Sequence, residues 1–74
     1  MRLSEFRRAI ADEFGEQYGH ALLRDLALTR LGSRTGEDAL ALGVPAREVW
    51  LALCEEMGVP EQRRHGVGRP EPRR

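Results

Sequence analysis

The sequence predicts an all-α domain, a small orthogonal bundle of four short helices with a helix–turn–helix-like pair in its C-terminal half. Apolar residues recur at spacings of three and four along most of the chain, which is the period of an amphipathic helix. Glycine or proline follows these segments, as expected where a helix ends. No segment shows the apolar–polar alternation of a half-buried strand. The expected helices cover about residues 4–15, 16–31, 36–42 and 45–57 of a single domain, residues 1–60.

The first predicted helix begins at Ser4, whose hydroxyl can accept a hydrogen bond from a first-turn amide, and it ends near Gly15. Phe6, Ile10 and Phe14 recur at every fourth residue and therefore share one face. We expect this face to lie in the core.

The second predicted helix, from Glu16 to Leu31, is apolar around nearly its whole circumference. Such a helix is packed on more than one side, or it offers one face to another molecule. Asp25 falls within this apolar surface, so we expect it to be partly buried and to need a polar partner. Arg34 is the favoured partner, and a helix cap or the indole of Trp50 are the alternatives.

The last two predicted helices have recognisable starts. Thr35, with Asp38 three residues later, resembles a capping box, and Pro45 suits the first position of a helix. Gly43 lies between the two helices as a helix-ending residue.

Apolar residues from all four helices form the predicted core: Phe6, Ile10, Phe14, Leu22, Leu26, Leu42, Val49, Trp50 and Leu53.

Size and composition exclude several classes of protein. A chain of 74 residues buries only about 60% of the surface that its unfolded form exposes, so its stability is marginal without further support. The single cysteine, Cys54, excludes an internal disulfide, and with His20 and His65 it does not form a zinc-site spacing. We therefore expect no metal, no cofactor and no small-molecule substrate. With a disulfide and a zinc site excluded, a partner chain or self-association could still stabilise the domain.

All twelve basic residues are arginines, and twelve acidic residues balance them. Arginine is favoured where phosphate or carboxylate is bound by two parallel hydrogen bonds. The coding bias of a GC-rich genome would also replace lysine with arginine throughout. Because the arginines are dispersed among acidic residues, the compositional explanation is favoured.

The predicted location is the cytoplasm. No apolar stretch approaches the roughly 20 residues of a membrane span, and the N-terminus has no apolar segment of a secretory signal. A lone free cysteine fits a reducing compartment.

Residues 61–74, rich in arginine, proline and glycine, are expected to form a disordered tail because they hold little apolar surface to bury.

Several motifs follow one another in fixed order: Met1 to Phe6, Arg24-Asp25, Leu31 to Thr35, Ala39-Leu40, Gly43, Val49 to Cys54 and Val59-Pro60. Together they resemble a family of short actinobacterial proteins classed as a domain of unknown function. The resemblance covers roughly residues 1 to 60 and departs at Leu22, where many members have tryptophan. It implies an actinobacterial cytoplasmic protein, often encoded beside the recombinase RecA and its regulator RecX. It supplies no activity and no site residues, and gene neighbourhood is only an associational link to DNA repair.

Ala39, Gly43 and Val49 have the spacing of a DNA-binding helix–turn–helix. The base-facing positions would then be Pro45, Ala46, Arg47, Trp50, Leu51 and Cys54. Only Arg47 among them can form two hydrogen bonds to a base edge. Glu48, Glu55 and Glu56 would bring negative charge toward phosphates. Binding to nucleic acid is therefore disfavoured.

The sequence favours a non-enzymatic protein-interaction module or regulator. It holds no phosphate-binding loop, nucleophile elbow or metal box, and Cys54 has no adjacent base. Arg47 and Leu51 lie beside the apolar arc of the fourth helix and, with Leu23, form the candidate interaction patch. The predicted partner is another protein or a second copy of the chain. The alternative is a helix–turn–helix-type nucleic-acid-binding regulator.

Overall fold

Four α-helices and one two-stranded sheet make up residues 1–64, the part of the chain that the computed structural model describes. The helices are α1 (Leu3–Phe14), α2 (Glu16–Asp25), α3 (Gly36–Ala41) and α4 (Ala46–Met57). The strands β1 (Ala27–Leu28) and β2 (Arg34–Thr35) pair antiparallel, with Ala27 opposite Thr35 and Leu28 opposite Arg34. Single 3₁₀ turns cover Thr29–Leu31 and Glu61–Arg63.

The second helix ends six residues earlier than predicted, and the fold is therefore helical with a small sheet rather than all-α. Leu26 takes an extended conformation directly after Asp25. Gly32 and Ser33 both have positive φ, 73° and 66°, and they reverse the chain between the two strands. A ladder of two residues a side is too short to produce a visible alternation. The apolar run that indicated a longer helix instead supplies Leu28, which is fully buried.

The helix starts show which capping signals the chain uses. The Thr35 hydroxyl accepts a hydrogen bond from the Asp38 amide at 3.1 Å, as the sequence predicts. Helix α1 begins one residue before the predicted cap, Ser4, and the Glu5 carboxylate accepts from the Arg2 amide at 2.8 Å. Helix α4 begins at Ala46, directly after Pro45.

The central element is α4, whose buried residues fill most of its circumference: Val49, Trp50, Ala52, Leu53 and Cys54. It packs against α1, α3, β1 and the first 3₁₀ turn. The sequence indicated that the second helix is packed on more than one side or offers one face to another molecule, because the segment predicted to be helical included the apolar residues that now form the small sheet. The remaining core residues come from α1, α2, β1, α3 and the segment after α4: Phe6, Ala9, Ile10, Leu22, Leu23, Leu28, Ala39 and Val59.

Leu42 corrects the predicted core. Its side chain is 65% exposed, because α3 ends at Ala41 and Leu42 caps it on the outside of the turn to α4. Val44, two residues later, packs against the core instead. Phe14 and Leu26, also predicted to be core residues, are half-buried at its edge.

Two helical glycines let the elements approach closely. A Cβ atom at Gly19 would overlap Cγ2 of Ile10 and would lie 3.3 Å from the Ile10 carbonyl oxygen. A Cβ atom at Gly36 would lie 2.6 Å from Cδ2 of Leu23 and 3.3 Å from Cγ1 of Val49. The α1–α2 contact and the contact between α2 and the start of α3 therefore both depend on a missing methyl group.

We expect Gly19→Ala to lower the free energy of unfolding by about 1–3 kcal/mol, because the added methyl overpacks the contact with Ile10. This loss would occur although alanine favours an isolated helix by about 1 kcal/mol over glycine. Urea unfolding followed by circular dichroism measures it. Gln17→Ala, on the exposed side of α2, is the control and should stay within about 0.5 kcal/mol of the parent chain. Equal stability of the parent and the Gly19 variant would contradict the close approach.

Candidate functional site

A shallow groove of about 200 Å³ runs between α1 and α2 and is the candidate site. Its six lining residues are Arg7, Ile10, Ala11, Glu16, His20 and Leu23. On α1, Ile10 and Ala11 follow Arg7 by three and four residues. On α2, His20 follows Glu16 by four residues, and Leu23 follows His20 by three. This spacing places each set on one face of its helix.

The groove has an apolar floor and a charged rim. Ile10 and Leu23 are buried below it, and Ala11 is half-buried beside them. Arg7, Glu16 and His20 are exposed at its edges. Neither Arg7 nor Glu16 takes part in an ion pair within residues 1–64. These charges are thus available to a molecule that approaches the floor.

Leu3 extends the apolar part of α1 beyond the groove. Its side chain is 47% exposed. It lies four residues before Arg7 and therefore on the same face of the helix. The core ends one turn later, at Phe6. The α1–α2 side of the molecule thus carries both a recess and an exposed leucine.

The structure does not bring the predicted patch of Arg47, Leu51 and Leu23 together. Leu23 is only 6% exposed, and it contacts the start of α3 beside Val49. Val49 and Leu51 are two residues apart in a helix and so lie on nearly opposite sides of α4. Leu23 therefore belongs to the floor of the groove, and its assignment to an exposed patch is corrected. Arg47 is exposed and Leu51 is half-buried on the far side of α4.

The predicted Asp25–Arg34 pair is wrong. Asp25 is exposed, and the guanidinium of its neighbour Arg24 donates to its carboxylate at 3.1 and 3.2 Å. That hydrogen bond lowers the pKa of Asp25. Arg34 donates instead to the carbonyl of Leu31 at 3.2 Å. Arg34 lies in the small sheet opposite Leu28, the third residue after Asp25, and the Asp25 carboxylate is bound by its neighbour Arg24.

Trp50 shows that residues 61–64 pack on the domain, in a segment that the sequence assigned to the tail. The Trp50 indole N–H donates to the Arg64 carbonyl oxygen at 2.5 Å, and its ring meets Phe14 edge-on at 6.5 Å between centroids. Arg63 donates to the Glu13 carboxylate at 2.9 Å, which ties the same segment to α1. The sequence could not predict this contact, because every residue carries a backbone carbonyl and the arginine-rich composition of the segment indicated a disordered tail. The rest of the predicted tail, residues 65–74, lies outside the described part of the chain.

Cys54 is fully buried beneath this segment. Desolvation by burial raises the pKa of its thiol to about 11, and Glu13 adds to the rise while Arg64 opposes it. A thiol with a raised pKa is a poor nucleophile at neutral pH.

The positions of α4 that a helix–turn–helix would turn toward DNA are partly in the core. Trp50 and Cys54, two of those six positions, are buried. Neither side chain can reach a base edge while the domain is folded. Arg47 remains exposed, and Glu48 and Glu55 are exposed on the adjoining surface of the helix.

Two further structural findings concern metals and membranes. Within residues 1–64, no group of three or more His, Cys, Asp or Glu side chains is arranged to hold a metal ion. None of the helices in the same range is both long enough and apolar enough to cross a bilayer.

The family model described as Protein of unknown function (DUF3046) matches residues 1–62. No curated protein and no solved structure matches the chain.

The burial of Cys54 predicts a pH dependence of stability. Its thiol has an ordinary pKa of 9.0 and a folded pKa of about 11, so the unfolded chain loses this proton first as the pH rises. Its contribution is therefore complete below pH 9 and is lost between pH 9 and 11, by about 3 kcal/mol at most.

Urea unfolding at pH 8, 9, 10 and 10.5, a series spanning the lower part of that window, compares the parent chain with Cys54→Ala. We expect the parent to lose more stability than the variant over this range, because only the parent carries the thiol. Parallel pH profiles for the two proteins would contradict the raised pKa.

Proposed function

We propose that this chain, which belongs to the DUF3046 family of proteins of unknown function, is a non-enzymatic protein-interaction module or regulator. The α1–α2 groove is its docking surface. Binding there places an apolar side chain of the partner on the floor and polar groups of the partner against the rim.

The shape and chemistry of the groove carry this proposal. Its volume of about 200 Å³ is below the roughly 300 Å³ at which small-molecule sites begin. An apolar centre surrounded by polar residues is the usual arrangement of a protein–protein interface. Arg7 and Glu16 supply charges of both signs at the edges, which suits a partner with a mixed polar surface.

The state of Cys54 supports a role without catalysis. It is the only cysteine in the chain, and its burial and raised pKa keep it as a neutral thiol at neutral pH. Its environment is that of a packing residue.

We further propose that the protein works in the cytoplasm and serves DNA repair. The lone reduced cysteine supports the location. The link to repair rests on the resemblance to proteins encoded beside RecA and RecX, and it enters as an association between genes rather than as a mechanism.

Nucleic-acid binding through α3 and α4 is the second candidate. One observation favours it: Ala39 and Val49 are buried, and Gly43 between them has a φ of 94°, as a tight turn between two helices requires. The buried Trp50 and Cys54 weigh against it, because they leave Arg47 as the one base-reading side chain among the six positions that would face DNA.

Affinity capture tests the docking surface with a matched pair of alanine substitutions. Ala11→Arg places a long charged side chain in the groove, whereas Ala41→Arg places the same side chain on the exposed end of α3. Tagged chains are incubated at nanomolar concentration with lysate of the source cells, and retained proteins are quantified by mass spectrometry. We expect proteins retained by the parent and by Ala41→Arg to fall at least about tenfold with Ala11→Arg, a loss of about 1.4 kcal/mol. Equal retention by all three would overturn the assignment of the groove.

Titration of a fluorescent DNA duplex at about 50 and 200 mM salt tests the second candidate. We expect no saturable binding at either salt concentration, because α4 presents Glu48 and Glu55 beside Arg47. Binding at low salt that Arg47→Ala weakens, while the control Arg8→Ala on α1 leaves it intact, would establish the nucleic-acid role instead.

A further inference from the structure

The charges of the α1–α2 face are placed symmetrically about a close contact of the two helices. That contact is between Ile10 and Gly19. Arg7 lies three residues before Ile10, and Glu16 lies three residues before Gly19. Because Ile10 and Gly19 lie five residues before and four residues after Gly15 and are in contact, the chain reverses between the two helices, and these two steps point in opposite directions. At 1.5 Å per residue, the backbone positions of Arg7 and Glu16 are each displaced by about 4.5 Å along the helix from the contact, toward opposite ends of the groove.

This arrangement is self-complementary, and we propose that the α1–α2 face binds a second copy of this chain. A two-fold axis through the Ile10–Gly19 contact, normal to the face, lays α1 of one copy over α2 of the other. The rotation reverses the direction along the groove. It therefore brings Arg7 of each copy level with Glu16 of its partner, and the face meets itself with two reciprocal ion pairs.

The remaining groove residues suit the same contact. Ala11 lies one residue after Ile10, and His20 lies one residue after Gly19, so the same rotation sets each Ala11 level with the partner's His20. A small side chain thus faces a larger flat one next to the axis. Ile10 and Leu23 below them supply the apolar floor that such an interface needs.

The size of the face sets the strength of this dimer. Helices of 12 and 10 residues are about 18 and 15 Å long, so the face is well below the roughly 800 Å² per partner of a standard interface. We expect a dissociation constant on the order of 100 micromolar, which weakens as salt screens the two exposed ion pairs. This inference rests on the proposed function, because it uses the same groove and names its occupant.

Sedimentation equilibrium at chain concentrations up to about 1 mM tests it, with the charges exchanged one at a time. Arg7→Glu sets two glutamates against each other at each end of the contact, and Glu16→Arg sets two arginines against each other. We expect each variant alone to associate at least about tenfold more weakly than the parent. An equimolar mixture of the two variants should form a heterodimer, because both contacts then join opposite charges.

Matched controls separate this contact from a general effect of charge. Arg8→Glu and Asp12→Arg, both exposed on α1 and outside the set of residues that line the groove, make the same charge changes and should dimerise like the parent. Circular dichroism confirms that every variant is folded, as the exposure of the substituted residues leads us to expect.

A parent chain that stays monomeric at 1 mM, or variants whose mixture stays monomeric while the parent dimerises, would overturn the proposal. Either result is distinguishable from failure of the proposed function. Loss of captured proteins with Ala11→Arg at nanomolar concentration, where a dimer of this strength is dissociated, would still show a protein-binding groove.

Discussion

Close contact between helix backbones determines how this small fold is arranged. Gly19 allows α2 to rest against Ile10 of α1, and Gly36 allows the start of α3 to rest against Leu23 of α2 and Val49 of α4. A side chain at Gly19 would push α2 away from α1, and a side chain at Gly36 would push α3 away from both α2 and α4. In a domain of this size such contacts matter more than in a large one, because few core residues are present to compensate. The position of the groove follows from the same contact, since its floor begins at Ile10.

Enclosure of α4 explains why the two candidate functions are not equally favoured. A recognition helix needs one long exposed side to enter a groove of DNA, but α4 is surrounded by α1, α3, β1 and residues 59–64. Its exposed strip carries Arg47 together with two glutamates. The opposite holds for α1 and α2, which pack on the core by one side and leave the groove between them open to solvent. This difference supports the proposed docking of a protein at the α1–α2 groove.

The parts of the fold that depend on local periodicity could be predicted from the sequence, and the parts that depend on backbone geometry could not. The four-residue spacing of Phe6 and Ile10 and the cap at Thr35 identify α1 and α3. The sheet could not be predicted, because it is fixed by two successive residues of positive φ at Gly32 and Ser33. The candidate site was missed for a similar reason. Its residues are ordinary ones in sequence, and only the close approach at Gly19 brings the two helical faces together to form the groove.

The hydrogen bond between Trp50 and Arg64 gives the chain an internal optical probe. Trp50 is the only tryptophan, and its indole is bound to the last described residue while its ring touches α1. Its emission therefore responds to two events. The first is release of residues 61–64, which would bring water to the indole, and the second is unfolding of the core. Fluorescence and circular dichroism followed on the same sample would report these two events separately. Detachment of the C-terminal segment can thus be observed in the unlabelled protein before the helices unfold.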